Sequence, residues 1–251
     1  MSEDVPVKTA KKTLELIEMI GALDGATFAD VMNEMSMPKS TAHDYLQTLL
    51  ELGYIIEENG QYYLATKFME LGEKRRRRMK IYRSARPQIR KLAEETGEHA
   101  SLMIEENGLG VLLDTAVGEH ALQLEVFPGQ RLPLTTMAPG KVILAYLPDE
   151  YVETILDEHG TPSPTENSIT DRDRLYEELE SIREQGYATD HEERIEGVRS
   201  IGVPIICGGT VRGAISIGGP VQRLTDDRMA DELPTMLLET ANVIEVNYTH
   251  S

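Results

Sequence analysis

Apolar residues in the first third of the chain recur at three- and four-residue spacing, the period of helices that bury one face. Leu14, Ile17 and Ile20, with Leu16 and Met19 beside them, mark an amphipathic helix from Val7 to Ala22 that would complete a three-helix core. A second stripe, Phe28, Val31, Met32 and Met35, predicts a helix over 27–35 opened by Ala26 or Thr27. Ser36 and Met37 then make a turn, with Ser36 the expected N-cap of the next helix and Pro38 in its first turn, where the missing N–H has no partner to lose. From Lys39 to Leu52 the apolar set is Ala42, Tyr45, Leu46, Leu49 and Leu50, leaving Lys39, Ser40, His43, Asp44 and Gln47 on the opposite face.

Gly53 ends that helix and the pattern changes. Tyr54-Ile55-Ile56 and Tyr62-Tyr63-Leu64 flank Glu57-Glu58-Asn59-Gly60-Gln61, and the Asn-Gly pair suits the positive φ angles of a hairpin turn. Helix, turn, helix and ribbon is the element order of a winged helix-turn-helix, whose second helix enters a DNA major groove. Double-stranded DNA is therefore the expected partner, with Lys39, Ser40, Thr41, His43, Asp44 and Gln47 as candidate contacts. The same periodicity permits a helical pair used for protein contacts.

Ala65 to Met79 reads as a helical connector with a basic end, Lys74 to Arg78. Four consecutive arginines on a helix point 100° apart, so they cannot all face one DNA backbone. Further on, Ile81 to Gly97 predicts a helix with a kink or restart at Pro87. Strand-like stretches at Ala100–Glu105, Gly110–Thr115 and Ala121–Phe127 suggest an antiparallel meander. Helices follow over 140–146, 149–158 and 172–185, the last two separated by a proline-bearing loop, then strands over 198–206 and 211–217 and a terminal helix from about Asp226 to Val246. Sheet and helices without a βαβ rhythm give an α+β class, with flanking helices on an antiparallel sheet.

Composition changes this picture in two places. The net charge of −18 looks unsuited to DNA until it is divided along the chain: residues 1–80 hold 11 Lys and Arg against 13 Asp and Glu, whereas 81–251 hold 14 against 30. Acidity is thus concentrated away from the DNA module. Only 9 of the 25 basic residues are lysine, as expected of a halophilic source, where molar salt screens self-repulsion and erodes phosphate contacts, so that base contacts and groove fit matter more. An acidic mesophilic protein is the alternative. The absence of an 18-residue apolar run, and a Met1–Asp4 start unlike a signal peptide, predict a cytoplasmic protein.

The single cysteine, Cys207, ends an apolar run and reads as a buried structural thiol. The histidines are scattered, so neither a metal site nor a cofactor is expected. Asp190, His191 and Ser200 invite comparison with a hydrolytic triad, but neighbouring Asp and His side chains on a strand point to opposite faces and no Gly-x-Ser-x-Gly elbow occurs. No catalytic residue is assigned.

Leu132-Pro-Leu-Thr-Thr-Met-Ala-Pro-Gly-Lys-Val-Ile-Leu-Ala-Tyr-Leu-Pro148, Gly186-Tyr-Ala-Thr-Asp190, Glu196-Gly-Val-Arg-Ser-Ile-Gly-Val-Pro204 and Gly213-Ala-Ile-Ser-Ile-Gly-Gly-Pro220 resemble the effector domain of IclR-family transcriptional regulators. The winged helix-turn-helix resembles the same family's DNA module, so the likeness runs in order along nearly the whole chain. It implies a DNA-binding domain with linker helix over 1–78, a GAF-like effector domain over 79–251, a small-molecule effector, and a homodimer or a dimer of dimers. It also carries an effector pocket onto Ala138, Pro139, Asp190, Ser200, Ser216 and Gly218.

Two departures bear on that transfer. Gly218 stands where other members often have a serine, and Asp44 where many have an arginine in the recognition helix. Asp44 would repel phosphate, so it either accepts from a cytosine amino group or faces away from the backbone. In the pocket, Thr135-Thr136 before Ala138-Pro139-Gly140-Lys141 can place free N–H groups at a helix start, which suits a carboxylate, although an ordinary capped helix reads the same way. Asp190 opposes an anion unless it accepts from a ligand hydroxyl or is offset by an arginine such as Arg199. A hydroxylated organic acid or a sugar derivative reconciles both. Ser200 and Ser216 either touch ligand or bond their own backbone, and Lys141 reads as structural. An architectural DNA-binding protein without a ligand is the alternative to a sensor.

Overall fold

The computed structural model describes residues 5–250, so Met1–Asp4, and the reading of them as unlike a signal peptide, lie outside it. Two compact units divide between Arg75 and Arg76. The first contains α1 (Lys8–Ala22), β1 (Ala26–Thr27), α2 (Phe28–Glu34), α3 (Lys39–Glu51), β2 (Ile55–Glu58) and β3 (Gln61–Leu64), and α4 (Lys67–Arg78) spans the division in sequence. Leu16 and Ile20 of α1, Val31 of α2 and Ala42, Leu46 and Leu49 of α3 form its core, together with Ile55. Leu14 is turned outward, 59% exposed, because Leu16 and Ile20 define the buried stripe four residues apart.

Thr27 caps α2 in a reciprocal box: its hydroxyl accepts from the Asp30 N–H and the Asp30 carboxylate accepts from the Thr27 N–H and hydroxyl. Those hydrogen bonds hold the Asp30 carboxyl below its usual range. Ser36 is not the cap of α3. It adopts φ +47 in the turn that closes α2, and the N-cap is Pro38, whose carbonyl accepts from the Ala42 N–H at 3.0 Å. β2 and β3 pair antiparallel around Asn59-Gly60, both at positive φ, as the Asn-Gly signal requires. β1 adds a two-residue third strand to β3, too short to leave a periodic signal.

The second unit contains α5 (Lys80–Thr96), β4 (His99–Glu106), β5 (Leu109–Val117), β6 (Arg131–Pro133), α6 (Ala138–Ala145), α7 (Asp149–His159), α8 (Arg172–Gln185), β7 (Ala188–His191), β8 (Val198–Cys207), β9 (Thr210–Pro220) and α9 (Leu233–His250). Its sheet is antiparallel throughout, in the order β6-β5-β4-β9-β8-β7. Alternation along the strands feeds two cores. One is built with α5 and α9, where Leu102, Ile201, Ile215 and Ile217 are buried; the other is built with α6, α7 and α8, where Met103, Leu112 and Ala214 are buried. The α+β class holds for the chain as a whole.

Two local expectations are corrected here. α5 runs unbroken from Lys80 to Thr96, with Pro87 inside it on the exposed face. Residues 121–127 form no strand: the outer side of β5 is taken by β6, and the segment has no regular structure and is tied by His99 Nε2 to the Leu122 carbonyl at 2.5 Å. The terminal helix begins at Asp226 as expected, passes through one π turn over Arg228–Glu232 and continues as α9 to His250, past Val246. Cys207 is buried, and burial pushes its thiol up, away from reactivity.

Candidate functional site

On α3 the apolar stripe turns inward and leaves Lys39, Ser40, His43, Asp44 and Gln47 exposed, with Thr41 half-buried at the margin. Asp44 points its carboxylate toward the His43 ring at 3.8 Å, with both side chains mostly exposed. A protonated His43 would partly offset that carboxylate. The ribbon exposes Glu57 and Glu58, and two carboxylates there repel phosphate.

The second site is a cavity of about 80 Å³ in the sheet unit, room for roughly five to eight water-sized volumes and hence for a small metabolite. The strand ladder explains its floor. Asp190 pairs with Ser200, Ser200 with Gly218 and Gly218 with His99, which forms one row across β7, β8, β9 and β4. Two residues along, Gly202 pairs with Ser216, Ser216 with Ser101 and Ser101 with Thr115. Directly opposed residues share a face, so the two rows present hydroxyl, carboxyl and imidazole groups on one side of the sheet. The Ser101 and Ser216 hydroxyls hydrogen-bond each other at 2.7 Å.

The start of α6 closes over this floor. A Cβ on Gly202 would come within 3.0 Å of the Pro139 nitrogen, so that glycine lets the helix start sit directly on β8. Pro139, Asp190, Ser200, Ser216 and Gly218 all line the cavity. Ala138 does not: it is fully buried, in the core beneath α6, as the first helical residue. At Gly218 an added Cβ would meet only ordinary contacts, the nearest at 3.7 Å, so the glycine widens the floor rather than easing a clash.

Asp190 is 4% exposed and accepts from the Glu193 N–H at 2.7 Å and the Ser200 hydroxyl at 3.0 Å. Burial pushes its carboxyl up to about 6, the Glu193 charge adding to the rise while the two hydrogen bonds and Lys141 oppose it. Lys141 is fully buried between Glu193 at 2.6 Å and Glu178 at 3.1 Å, a structural role that ties α6 to α8 and to the loop after β7.

Arg199 is not the arginine near the ligand. It pairs in register with His191 on the face opposite Asp190 and Ser200, and it holds Asp226 at 2.6 Å. The arginine that lines the cavity is Arg194. Periodicity offered no route to Arg194, which lies in a loop, whereas Ser101 and Thr115 sit in predicted strands and needed only the strand pairing. His99 falls one residue before the strand expected from Ala100.

One chain that carries both a winged helix-turn-helix unit and a sheet unit with a half-open pocket has the architecture of a DNA-binding regulator of transcription. The family model described as "Bacterial transcriptional regulator IclR C-terminal" matches residues 74–246, and the "IclR helix-turn-helix domain" matches residues 9–57. The chain belongs to the IclR family. It is 36% identical over 248 residues to "Probable HTH-type transcriptional regulator ArcR" of Halobacterium salinarum, a halophilic archaeon, covering 96% of this chain and 93% of the relative. That source supports the halophilic reading of the composition. The crystal structure of the Thermotoga maritima IclR superposes with a TM-score of 0.77 at 29% identity, covering 96% and 98% of the two chains. An IclR homolog of Microbacterium hydrocarbonoxydans, solved in complex with 4-hydroxybenzoate, shares the fold at TM-score 0.79 and 22% identity, over 96% and 99% of the chains. Among the described residues no helix is long and apolar enough to cross a membrane.

Proposed function

We propose that this regulator is controlled by a small hydroxylated organic acid, or a sugar derivative, that enters the cavity over Asp190. DNA is read by Lys39, Ser40, Thr41, His43, Asp44 and Gln47 as inverted half-sites, by a homodimer or a dimer of dimers in the cytoplasm, with residues 1–78 as DNA-binding domain and 79–251 as effector domain. The reading rests on one observation above all: Asp190, Ser200, Ser216 and His99 line one half-open cavity whose remaining walls are largely apolar. Polar groups few in number and aimed inward are what orient a small ligand.

His99 favours the hydroxyl. Its Nε2–H donates to the Leu122 carbonyl, which leaves Nδ1 of the neutral ring as a buried acceptor with no protein donor. A ligand O–H supplies one. The complex of the Microbacterium relative with 4-hydroxybenzoate is an example of a hydroxylated acid in this fold. Control follows if the ligand has different affinities for two arrangements of the DNA-binding domains.

The test is selection of sheared genomic DNA by the full chain in molar KCl. A few enriched palindromes are expected, and their capture should be lost on Lys39→Ala with His43→Ala while ligand-induced melting shifts persist. Diffuse capture along the genome would instead mean an architectural protein.

A further inference from the structure

The half-buried arginines of the described residues are paired, with one exception. There are five of them: Arg76, Arg194, Arg199, Arg223 and Arg228. Arg76 reaches Asp114 at 3.5 Å, Arg199 holds Asp226 at 2.6 Å, Arg223 holds the buried Glu98 through two nitrogens, and Arg228 holds Glu232 at 3.2 Å. Arg194 alone of the five has neither a carboxylate within ion-pair distance nor a hydrogen-bonded acceptor, and it is the one that lines the cavity.

A partly buried guanidinium keeps its charge and bears the cost of lost hydration unless an acceptor replaces water. That cost is visible here: burial pulls the Arg194 group down from its ordinary range, and only the charge of Asp190 acts in the other direction. No hydrogen bond or ion pair joins it to Asp190, whose two oxygens accept from the Glu193 N–H and the Ser200 hydroxyl.

The backbone that carries Arg194 is held in place beforehand. The Thr165 hydroxyl donates to the Glu192 and Glu193 carbonyls at 2.7 and 3.0 Å, the Ser168 hydroxyl to the Glu193 carbonyl at 2.7 Å, and Glu193 is locked to Lys141. Glu192, at φ +63, accepts from the Gly197 N–H at 2.8 Å and so spans the loop. Little ordering of the loop backbone remains to be done when a ligand arrives, which favours affinity.

We infer that Arg194 is the effector-binding residue that determines charge specificity: it takes the carboxylate of the ligand in a charge-assisted, fork-shaped contact, so the cavity selects a small monocarboxylate over a neutral sugar or an amide. This rests on the cavity being the effector site. Ile195, Val198, Leu124 and Val126 on the walls take the apolar remainder of the acid, and His99 Nδ1, buried without a protein donor, takes its hydroxyl.

The experiment uses the purified full chain in molar KCl and measures melting shifts and calorimetric affinity. The probes are lactate, glycerate, mandelate and 4-hydroxybenzoate, each beside its carboxamide, with arabinose and xylose as neutral sugars. At least one acid should bind, its amide at least tenfold more weakly. Arg194→Gln should lose at least tenfold in acid affinity and most of the discrimination between acid and amide, with Arg194→Lys recovering part of both. The ligand-free melting temperature of Arg194→Gln should equal or exceed that of the wild type, since no protein contact is removed. Equal binding of acid and amide, an unchanged affinity in Arg194→Gln, or binding of neutral sugars alone would overturn the role of Arg194 while leaving the cavity a sensor. No shift with any probe would overturn both.

Discussion

In the helix-turn-helix unit every buried side chain among the described residues is apolar, and five of the six candidate DNA contacts are exposed on α3. The sheet unit is built the other way: Lys141, Asp190, Glu193, Glu98 and His99 lie inside it, each more than nine-tenths buried. One unit keeps its chemistry on a surface that a rigid apolar core holds in shape; the other encloses its chemistry and carries the desolvation cost of doing so. A DNA duplex is met from outside and needs a surface, whereas a small metabolite is recognised by a few desolvated groups that surround it.

The largest effect that separates the two units is expected at Lys141. Lys141→Ala leaves Glu193 buried without its cation, which costs about 3–5 kcal/mol by the usual penalty for breaking a buried pair. Urea unfolding should show the loss in the sheet unit, with the transition of the first unit unmoved. A change below about 1 kcal/mol would mean that the pair behaves like a surface one and that the contrast is misplaced.

Asp190 sharpens the same contrast through pH. Its carboxyl titrates at about 6 in the folded protein against an ordinary value of 3.8, so the folded state holds the proton more tightly than the unfolded chain. The stabilisation from that proton is complete below the unfolded value and is lost as pH rises through about 6. Asp190→Asn removes the cost of the buried charge. It should therefore stabilise the ligand-free protein at pH 7.5 by up to about 3 kcal/mol, the equivalent of two pKa units, and the gain should vanish near pH 4. Denaturation of variant and wild type at the two pH values checks it, and destabilisation at pH 7.5 would contradict it.

The smallest effect lies in the first unit. Thr27→Ala removes one side of the capping box on α2 and should cost about 1 kcal/mol in that unit, with cavity binding unchanged. Thermal melting followed together with ligand affinity reads both.

The difference between the units also explains what could be read from residues alone. Where the buried set carries no charge, spacing is sufficient: Ala42, Leu46 and Leu49 mark α3 and thereby expose the candidate DNA contacts on its other side. The Asn59-Gly60 turn carries its own chemistry. In the sheet unit the helices and strands were legible for the same reason, but the cavity floor was not, since Asp190, Ser200, Gly218 and His99 meet only through strand pairing and span more than a hundred residues of sequence. The resemblance to the family pointed to five of the lining residues, and alternation then explains why Ser200 faces the cavity and Arg199 does not. Residues 121–127 alternate like a strand because Leu124 and Val126 cover the cavity, a one-sided burial that mimics sheet packing. Arg194 belongs to a loop, where no period exists.

The most direct test of the whole account is the affinity of the full chain for its selected operator, in molar KCl, with and without a saturating acid that calorimetry shows to bind. Coupling between cavity and α3 predicts a change of at least about fivefold. An operator affinity that stays the same while the cavity is demonstrably filled would contradict it.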